Sequence, residues 1–140
     1  MDARDYFEQI VTPNYYDAKN NPNDLRSLWN ALLTMNSVPE SVELQQLNYS
    51  SVDRDSRIKR SSDIRATYPC LGDLQHCADA MKHVRKQTRD VTATSTNILP
   101  SDSSTWKIDI NGNQCNLSAL LDQAFETIRN FPELTHPSSR

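Results

Sequence analysis

The spacing of hydrophobic residues along the chain predicts a mainly helical protein. In most of the sequence, apolar residues recur every three or four positions, as in helices that bury one face and expose the other. The clearest stripe begins at Leu25 and includes Trp29 and Leu32, and a second full stripe follows Leu117. The predicted helices cover residues 3–18, 22–37, 39–48, 53–66, 70–86 and 117–131.

Proline and asparagine residues indicate where some of these helices begin or break. Pro13 removes a backbone donor inside the first helix, so we expect a kink or a split near Thr12. Asn21 is the expected N-cap of the second helix, because Pro22 suits the first helical position. Asn116 is the expected N-cap of the last helix.

The segment before the last helix changes to the alternating pattern of β-strands, which we expect at residues 89–97, 105–110 and 113–116. Asn111 and Gly112 form the preferred pair for a two-residue type I′ hairpin turn. With that turn, Ile108 lies opposite Cys115, and Trp106 shares their apolar face. An isolated hairpin is marginal in water, so this face must pack on the helices or on a partner.

Length and composition add a fold class and a compartment to this pattern. A chain of 140 residues is typical of one domain, and we expect a helical bundle with a small antiparallel hairpin before its last helix. The charged N-terminal segment does not resemble a signal peptide, and no apolar run is long enough to span a membrane. An odd number of cysteines without a CxxC pair predicts reduced thiols in the cytoplasm, with Cys77 in the core.

The charge of the chain is unevenly distributed. Residues 54–89 hold nine of the fifteen Lys and Arg but only four acidic residues, a local charge of +5, and the rest of the chain carries −8. Such a basic region can face RNA or another anionic partner, and the alternative is a set of hydrated helix faces with local ion pairs. The basic residues are Arg54, Arg57, Lys59, Arg60, Arg65, Lys82, Arg85, Lys86 and Arg89.

Three histidines suggest two kinds of candidate site. His76, Asp79 and His83 are spaced to lie on one polar helix face, where they can hold a divalent metal or form a hydrated face with local ion pairs. Arg129 and His136 match the spacing of the active-site Arg and His of HEPN ribonucleases, although a proline stands between them. Motifs for nucleotide binding, serine hydrolysis and zinc proteolysis are absent, so we expect no cofactor.

Two stretches, NPNDLRSLWNALLTMNSV and YPCLGDLQHCADAMKHVRK, resemble a group of small helical bacterial proteins of no established activity. The shared elements are a DLR-x-x-x-NA helix, a Tyr-Pro helix start and an element that runs from Ala78 to Lys82-His83. The resemblance implies a HEPN-like bundle, in which Arg26, Asn30, Lys82 and His83 are the first polar residues to test.

The sequence therefore favours a small cytosolic interaction or accessory module that is not an enzyme and forms a homodimer. A metal-independent HEPN-like ribonuclease, or an inactive relative, is the first alternative. It would use Arg129 with His136, or Arg26 with His83. A metal-binding protein is the second alternative, and it would use the polar face of helix 70–86.

Overall fold

A computed structural model describes residues 2–40, 42, 62–82, 96–100 and 106–131 of the chain. These residues form a mostly helical structure with a small three-stranded antiparallel sheet before the C-terminal helix, which confirms the predicted α+β class. The labelled elements are α1 (Ala3–Tyr6), a π-helix (Phe7–Val11), α2 (Thr12–Asn20), α3 (Leu25–Asn36), α4 (Pro69–Lys82), β1 (Thr96–Pro100), β2 (Trp106–Ile110), β3 (Asn113–Asn116) and α5 (Leu117–Arg129).

The first helix runs from α1 through the π-helix to α2, so a split near Thr12 is wrong. A kink there, the other expected effect of Pro13, stays a prediction. The π-helix ends at Val11, two residues before Pro13, and the amide of Thr12 donates to the carbonyl of Phe7, five residues earlier. A π turn shifts the hydrogen-bond ladder by one residue. Because of this shift, the helix continues through Pro13, although Pro13 has no N–H to donate. Asp2 caps the start of the helix through the amide of Asp5 at 2.8 Å.

The second helix begins later than its sequence predicts. Its N-cap is Asp24, whose carboxylate accepts hydrogen bonds from the amide of Arg26 and the hydroxyl of Ser27, so the expected cap at Asn21 is wrong. Asn21 instead ends the preceding helix, and its carbonyl accepts from the amide of Asp24 in a tight turn. Pro22 lies within that turn and does not begin the helix.

The helices predicted at 39–48 and 53–66 lie largely outside the described residues. Residues 38–40 and 42 are helical, and Val38 and Val42 are buried. Residues 62–67 are helical and lead into α4 through Tyr68. Helix α4 begins at Pro69 and includes residues 70–82 of the predicted 70–86, and residues 83–86 lie outside the described residues. Its buried apolar stripe consists of Leu71, Leu74, Cys77, Ala78 and Met81.

The sheet has the strand order β1-β2-β3, with every neighbouring pair antiparallel. Ile108 pairs with Cys115, which confirms the predicted register of the hairpin. Asn111 and Gly112 have φ angles of 54° and 85°, as a type I′ turn requires. Strand β1 occupies residues 96–100, whereas residues 89–95 of the predicted strand lie outside the described residues.

Helix α5 is capped as predicted by Asn116, whose side-chain oxygen accepts from the amides of Ser118 and Ala119 at 2.8 and 3.2 Å. The helix ends at Arg129, and Phe131 packs into the core beyond it. The core lies between the helices and one face of the sheet. Its fully buried large side chains are Val11, Leu28, Leu32, Met35, Val38, Leu71, Leu74, Ile108, Leu117, Leu121 and Ile128.

Candidate interaction surface

Only two of the four residues that the resemblance singles out have described side chains. Arg26 and Asn30 lie one turn apart on α3, and both are exposed to solvent. Lys82 is the last residue of α4, but its side chain and all of His83 lie outside the described residues. The convergence of these four residues therefore stays a prediction.

The second predicted pair, Arg129 and His136, is also described only in part. Arg129 lies exposed in the last turn of α5 and forms an ion pair with Glu126, 3.3 Å from nitrogen to oxygen. Its predicted partner, His136, lies outside the described residues. The ribonuclease alternative therefore stays a prediction from the sequence.

The polar face of α4 is partly described. His76 is half-buried and Asp79 is exposed, while the third predicted ligand, His83, lies outside the described residues. Within the ranges that the structure describes, no group of three His, Cys, Asp or Glu side chains could hold a metal ion. The metal site stays a prediction, because its test requires His83.

One member of the basic region is not available to an anionic partner. Arg65 is 7% exposed, and its guanidinium donates to the carbonyl of Asn36 at 3.1 Å, at the C-terminal end of α3. The same group lies 3.6 Å from the carboxylate of Glu40. A cation at this position complements the negative end of the helix dipole, so Arg65 has a structural role.

Two of the three cysteines are packed in the core. Cys70 and Cys77 are buried, and the Sγ of Cys70 lies 3.4 Å from the Oγ1 of Thr127. Burial raises the pKa of the Cys77 thiol to about 12, with smaller contributions from Cys115 and Asp73. Thiols with raised pKa values are poor nucleophiles at neutral pH, which agrees with the packing role predicted for Cys77.

Cys115 lies on the hairpin face that we expect to pack on the helices or on a partner. Its register partner Ile108 is fully buried, but Cys115 itself is exposed. Helices α4 and α5 pack against the sheet and cover its central strand, and the Nε1 of Trp106 donates to the carbonyl of Asn23 at 3.1 Å. The helices of the same chain therefore cover the middle of this face but leave β3 at its margin exposed.

Strand β3 is an edge of the described sheet. It pairs with β2 on one side, and residues 113–115 are exposed. Its sequence, Asn-Gln-Cys-Asn, contains neither a charged residue nor a proline. Natural edge strands are commonly protected by lysine, proline or a bulge, because an open edge can pair with another strand. Strand β3 has neither of these protecting residues, although it is short.

The register determines which main-chain groups of β3 face away from β2. The residues that flank a two-residue type I′ turn, here Ile110 and Asn113, form a hydrogen-bonded pair. Such pairs alternate along an antiparallel ladder, so Gln114 and Asp109 form a non-hydrogen-bonded pair. The amide and carbonyl of Gln114 therefore point toward the open edge.

An aromatic cluster joins the first and last helices, and only Tyr16 among its rings is exposed. The ring of Tyr15 stacks on that of Phe125 at 4.0 Å between centroids, and Phe7 stacks on the same ring at 5.3 Å. Tyr16 contacts both Tyr15 and Phe125 edge-on and is 53% exposed. The sequence shows Phe125 and Tyr15 as members of two separate stripes, and only the packing of the two helices brings them together.

Asp122 connects the same two helices by polar contacts. It accepts a 2.6 Å hydrogen bond from the Tyr15 hydroxyl and a 2.9 Å bond from the Lys19 ammonium group. Burial, followed by this bond to Asp122, raises the pKa of Tyr15 well above its usual value. The phenol is therefore protonated at neutral pH and acts as a donor that fixes the two helices.

Comparisons with known proteins identify no relative. No protein-family model matches the chain, and neither a curated protein nor a solved structure matches it significantly. No helix within the described residues is long and apolar enough to cross a membrane. The bacterial group and the HEPN-like bundle therefore stay resemblances, and the geometry of the surface carries the functional argument.

Proposed function

We propose that this chain is a small interaction module that is not an enzyme and that pairs with a second copy of itself along β3. The observation that carries the proposal is the exposed, uncharged edge of β3, with the main-chain groups of Gln114 directed outward. Adding a strand to an open edge supplies directional main-chain hydrogen bonds without a preformed pocket. The three free thiols fit a reducing compartment such as the cytoplasm.

The hairpin is held in a position from which it can present this edge. Ile108 is fully buried beneath the helices, the Trp106 indole is fixed to Asn23, and Asn116 begins α5 directly after β3. A partner strand therefore meets an ordered edge and loses less conformational entropy than it would on a flexible segment. This anchoring supports β3 as the docking strand.

The proposal is tested by sedimentation equilibrium of the wild-type chain and of variants at position 114. We expect a reversible monomer–dimer equilibrium for the wild type and a shift toward monomer for Gln114→Pro. Proline removes the outward amide at position 114 but leaves the Cys115 amide, which faces β2, in place. Gln114→Thr keeps the amide and a side chain suited to strands, and we expect it to dimerise like the wild type.

A second substitution keeps the test decisive if proline disturbs the hairpin. Gln114→Lys places a charge on the edge without changing the backbone, so we expect weaker association from it as well. Circular dichroism and the combined fluorescence of Trp29 and Trp106 check that each variant is folded. A wild type that stays monomeric at every concentration, or a dimer that is insensitive to both substitutions, would contradict the proposal.

A further inference from the structure

We infer that Cys77 and Cys115 form a reversible disulfide when the protein meets a small disulfide oxidant such as oxidised glutathione, and that this bond connects β3 to α4. The inference goes beyond the proposed function, because the bond lies within one copy and needs no second chain. All three cysteines lie within the described residues and are free thiols, so three internal pairs have to be compared.

The contacts between α4 and α5 show how these two helices run. Tyr68, directly before α4, packs on Phe131 beyond the end of α5, with the ring centroids 5.2 Å apart. Cys70, in the first turn of α4, lies 3.4 Å from Thr127, in the last turn of α5. The position on one helix rises as the position on the other falls, so the helices run antiparallel. The chain of α4 therefore leads from the end of α5 toward its start.

This arrangement excludes two of the three cysteine pairs. Cys70 and Cys77 lie two turns apart on the same helix, roughly 10 Å along its axis. Cys70 lies beside Thr127, whereas Cys115 precedes α5, so about ten helical residues, or roughly 15 Å, separate their positions. The Cα atoms of a disulfide lie within about 7 Å of each other, so neither pair can be bridged in the folded protein. Cys77 and Cys115 are the pair that remains.

Cys77 lies where α4 meets both the sheet and the start of α5. Two turns back from Thr127, the matching position on α5 is Leu120 in its first turn, and Cys77 and Leu120 are both buried. Cys115 comes two residues before α5, and its side chain lies on the same sheet face as its register partner Ile108. Helices α4 and α5 pack on this face. The two thiols therefore meet the same boundary, one from α4 and the other from β3.

The electrostatic neighbours of the two thiols support this proximity. Burial, followed by Cys115 and Asp73, raises the pKa of Cys77 to about 12. Burial, followed by the same Asp73, raises the pKa of Cys115. Asp73 lies one turn before Cys77 on α4, so one helix influences both thiols. The two cysteines differ in access, because Cys77 is buried and Cys115 is exposed to an oxidant in solvent.

The exposed thiol reacts first, and the buried thiol closes the bond. The Cys115 thiolate attacks one sulfur of oxidised glutathione, whose S–S bond breaks and releases one glutathione thiolate. The Cys77 thiolate then attacks the Cys115 sulfur of this mixed disulfide and displaces the second glutathione. Two protein thiols are oxidised, one glutathione disulfide is reduced to two thiols, and the two protein protons pass to the released thiolates. Excess reduced glutathione reverses both steps.

Oxidation of the folded chain by oxidised glutathione tests the bond. The reaction is run at about pH 8.5, because both thiols are mostly protonated at neutral pH. The remaining thiols are alkylated in denaturant, and peptide mass spectrometry identifies the linked cysteines. We expect a product with a link between Cys77 and Cys115, an alkylated Cys70 and no bound glutathione. Cys70→Ser is the matched control and should form the same link.

Two further variants separate the roles of the two thiols. Cys115→Ser should form no internal disulfide, whereas Cys77→Ser should keep a glutathione on Cys115, because no second thiol displaces it. The link mapped in the wild type decides the question even if Cys77→Ser, a substitution in the core, does not fold. A wild type that keeps three free thiols, forms a link that includes Cys70, retains glutathione on Cys115 or links two chains through Cys115 would overturn the inference. Sedimentation of the wild type and of Gln114→Pro under reducing conditions shows separately whether the proposed function fails.

Discussion

Tyr15 joins two helices that are distant in sequence, because its hydroxyl donates to Asp122 at 2.6 Å across 107 positions. A hydrogen bond to a charged acceptor contributes more than a neutral one, but this pair is only partly buried. We expect Tyr15→Phe to lower the free energy of unfolding by about 1 kcal/mol at neutral pH. Urea denaturation measures the loss. Tyr16→Phe is the matched control, and we expect a smaller effect because its ring is 53% exposed.

The same bond predicts a dependence of stability on pH. Burial and the Asp122 contact raise the pKa of Tyr15 in the folded state above its usual value of about 10. Below that pH the phenol is protonated in both states, and the stabilisation is fully present. Above it the unfolded chain loses the proton first, so stability falls as pH rises. We expect the difference in the free energy of unfolding between the wild type and Tyr15→Phe to become smaller above about pH 10. If this difference in free energy stays constant as the pH rises past about 10, the bond to Asp122 does not stabilise the fold.

Arg65 and Glu40 contribute unequally to stability, although they lie 3.6 Å apart. Arg65 is buried and bonds to the Asn36 carbonyl, whereas 64% of the Glu40 side chain is exposed. We expect Arg65→Ala to cost about 2–3 kcal/mol, because it removes the packing of a buried side chain and the hydrogen bond to a partly buried helix-end carbonyl. Glu40→Gln should cost less than about 1 kcal/mol. Equal losses in urea denaturation would mean that the ion pair, not the bond to Asn36, stabilises this region.

The two glycines lie in different elements, so the same substitution should have opposite effects on stability. Gly112 has a φ of 85°, and Gly112→Ala strains the hairpin turn even though no atom blocks the new Cβ. We expect it to destabilise the protein by about 1 kcal/mol. Gly72 lies within α4, where a Cβ would meet the Arg65 carbonyl at an ordinary 3.6 Å. Gly72→Ala should therefore stabilise by up to about 1 kcal/mol. Thermal unfolding compares the two variants.

Elements whose determinants are local could be predicted from the sequence. Asn111 and Gly112 determine the hairpin register, and Asn116 determines where α5 begins, because each acts on residues beside it. Other features depend on packing. The π turn before Pro13 keeps the first helix continuous against the core. The second helix could have been capped by Asn21 or by Asp24, and the turn between these two residues makes Asp24 the N-cap. The burial of Arg65 requires α3 and residues 62–67 to meet.

For the whole molecule, one local signal in the sequence points to the candidate surface. Asn116 caps a helix directly after β3, so the chain leaves the sheet there, and β3 becomes an edge unless another strand covers it. The charged residues and histidines are more conspicuous in the sequence, but their convergence depends on tertiary contacts. Arg26 and Asn30 are exposed, and Arg129 pairs with its own helix neighbour Glu126. Spacing along one helix cannot show which residues a second helix brings near.

Dimerisation through β3 also predicts how the stability of the whole molecule depends on protein concentration. Mass action favours the associated native state, so the Tm of a homodimer rises with concentration, whereas the Tm of a monomer does not. For a weak dimer of this size, we expect a rise of roughly 2–3 °C for each tenfold increase in protein concentration. Gln114→Pro should show a Tm that is independent of concentration, and Gln114→Thr should behave like the wild type. Scanning calorimetry over a wide concentration range tests this, and equal slopes for the proline variant and the wild type would place the association on another surface.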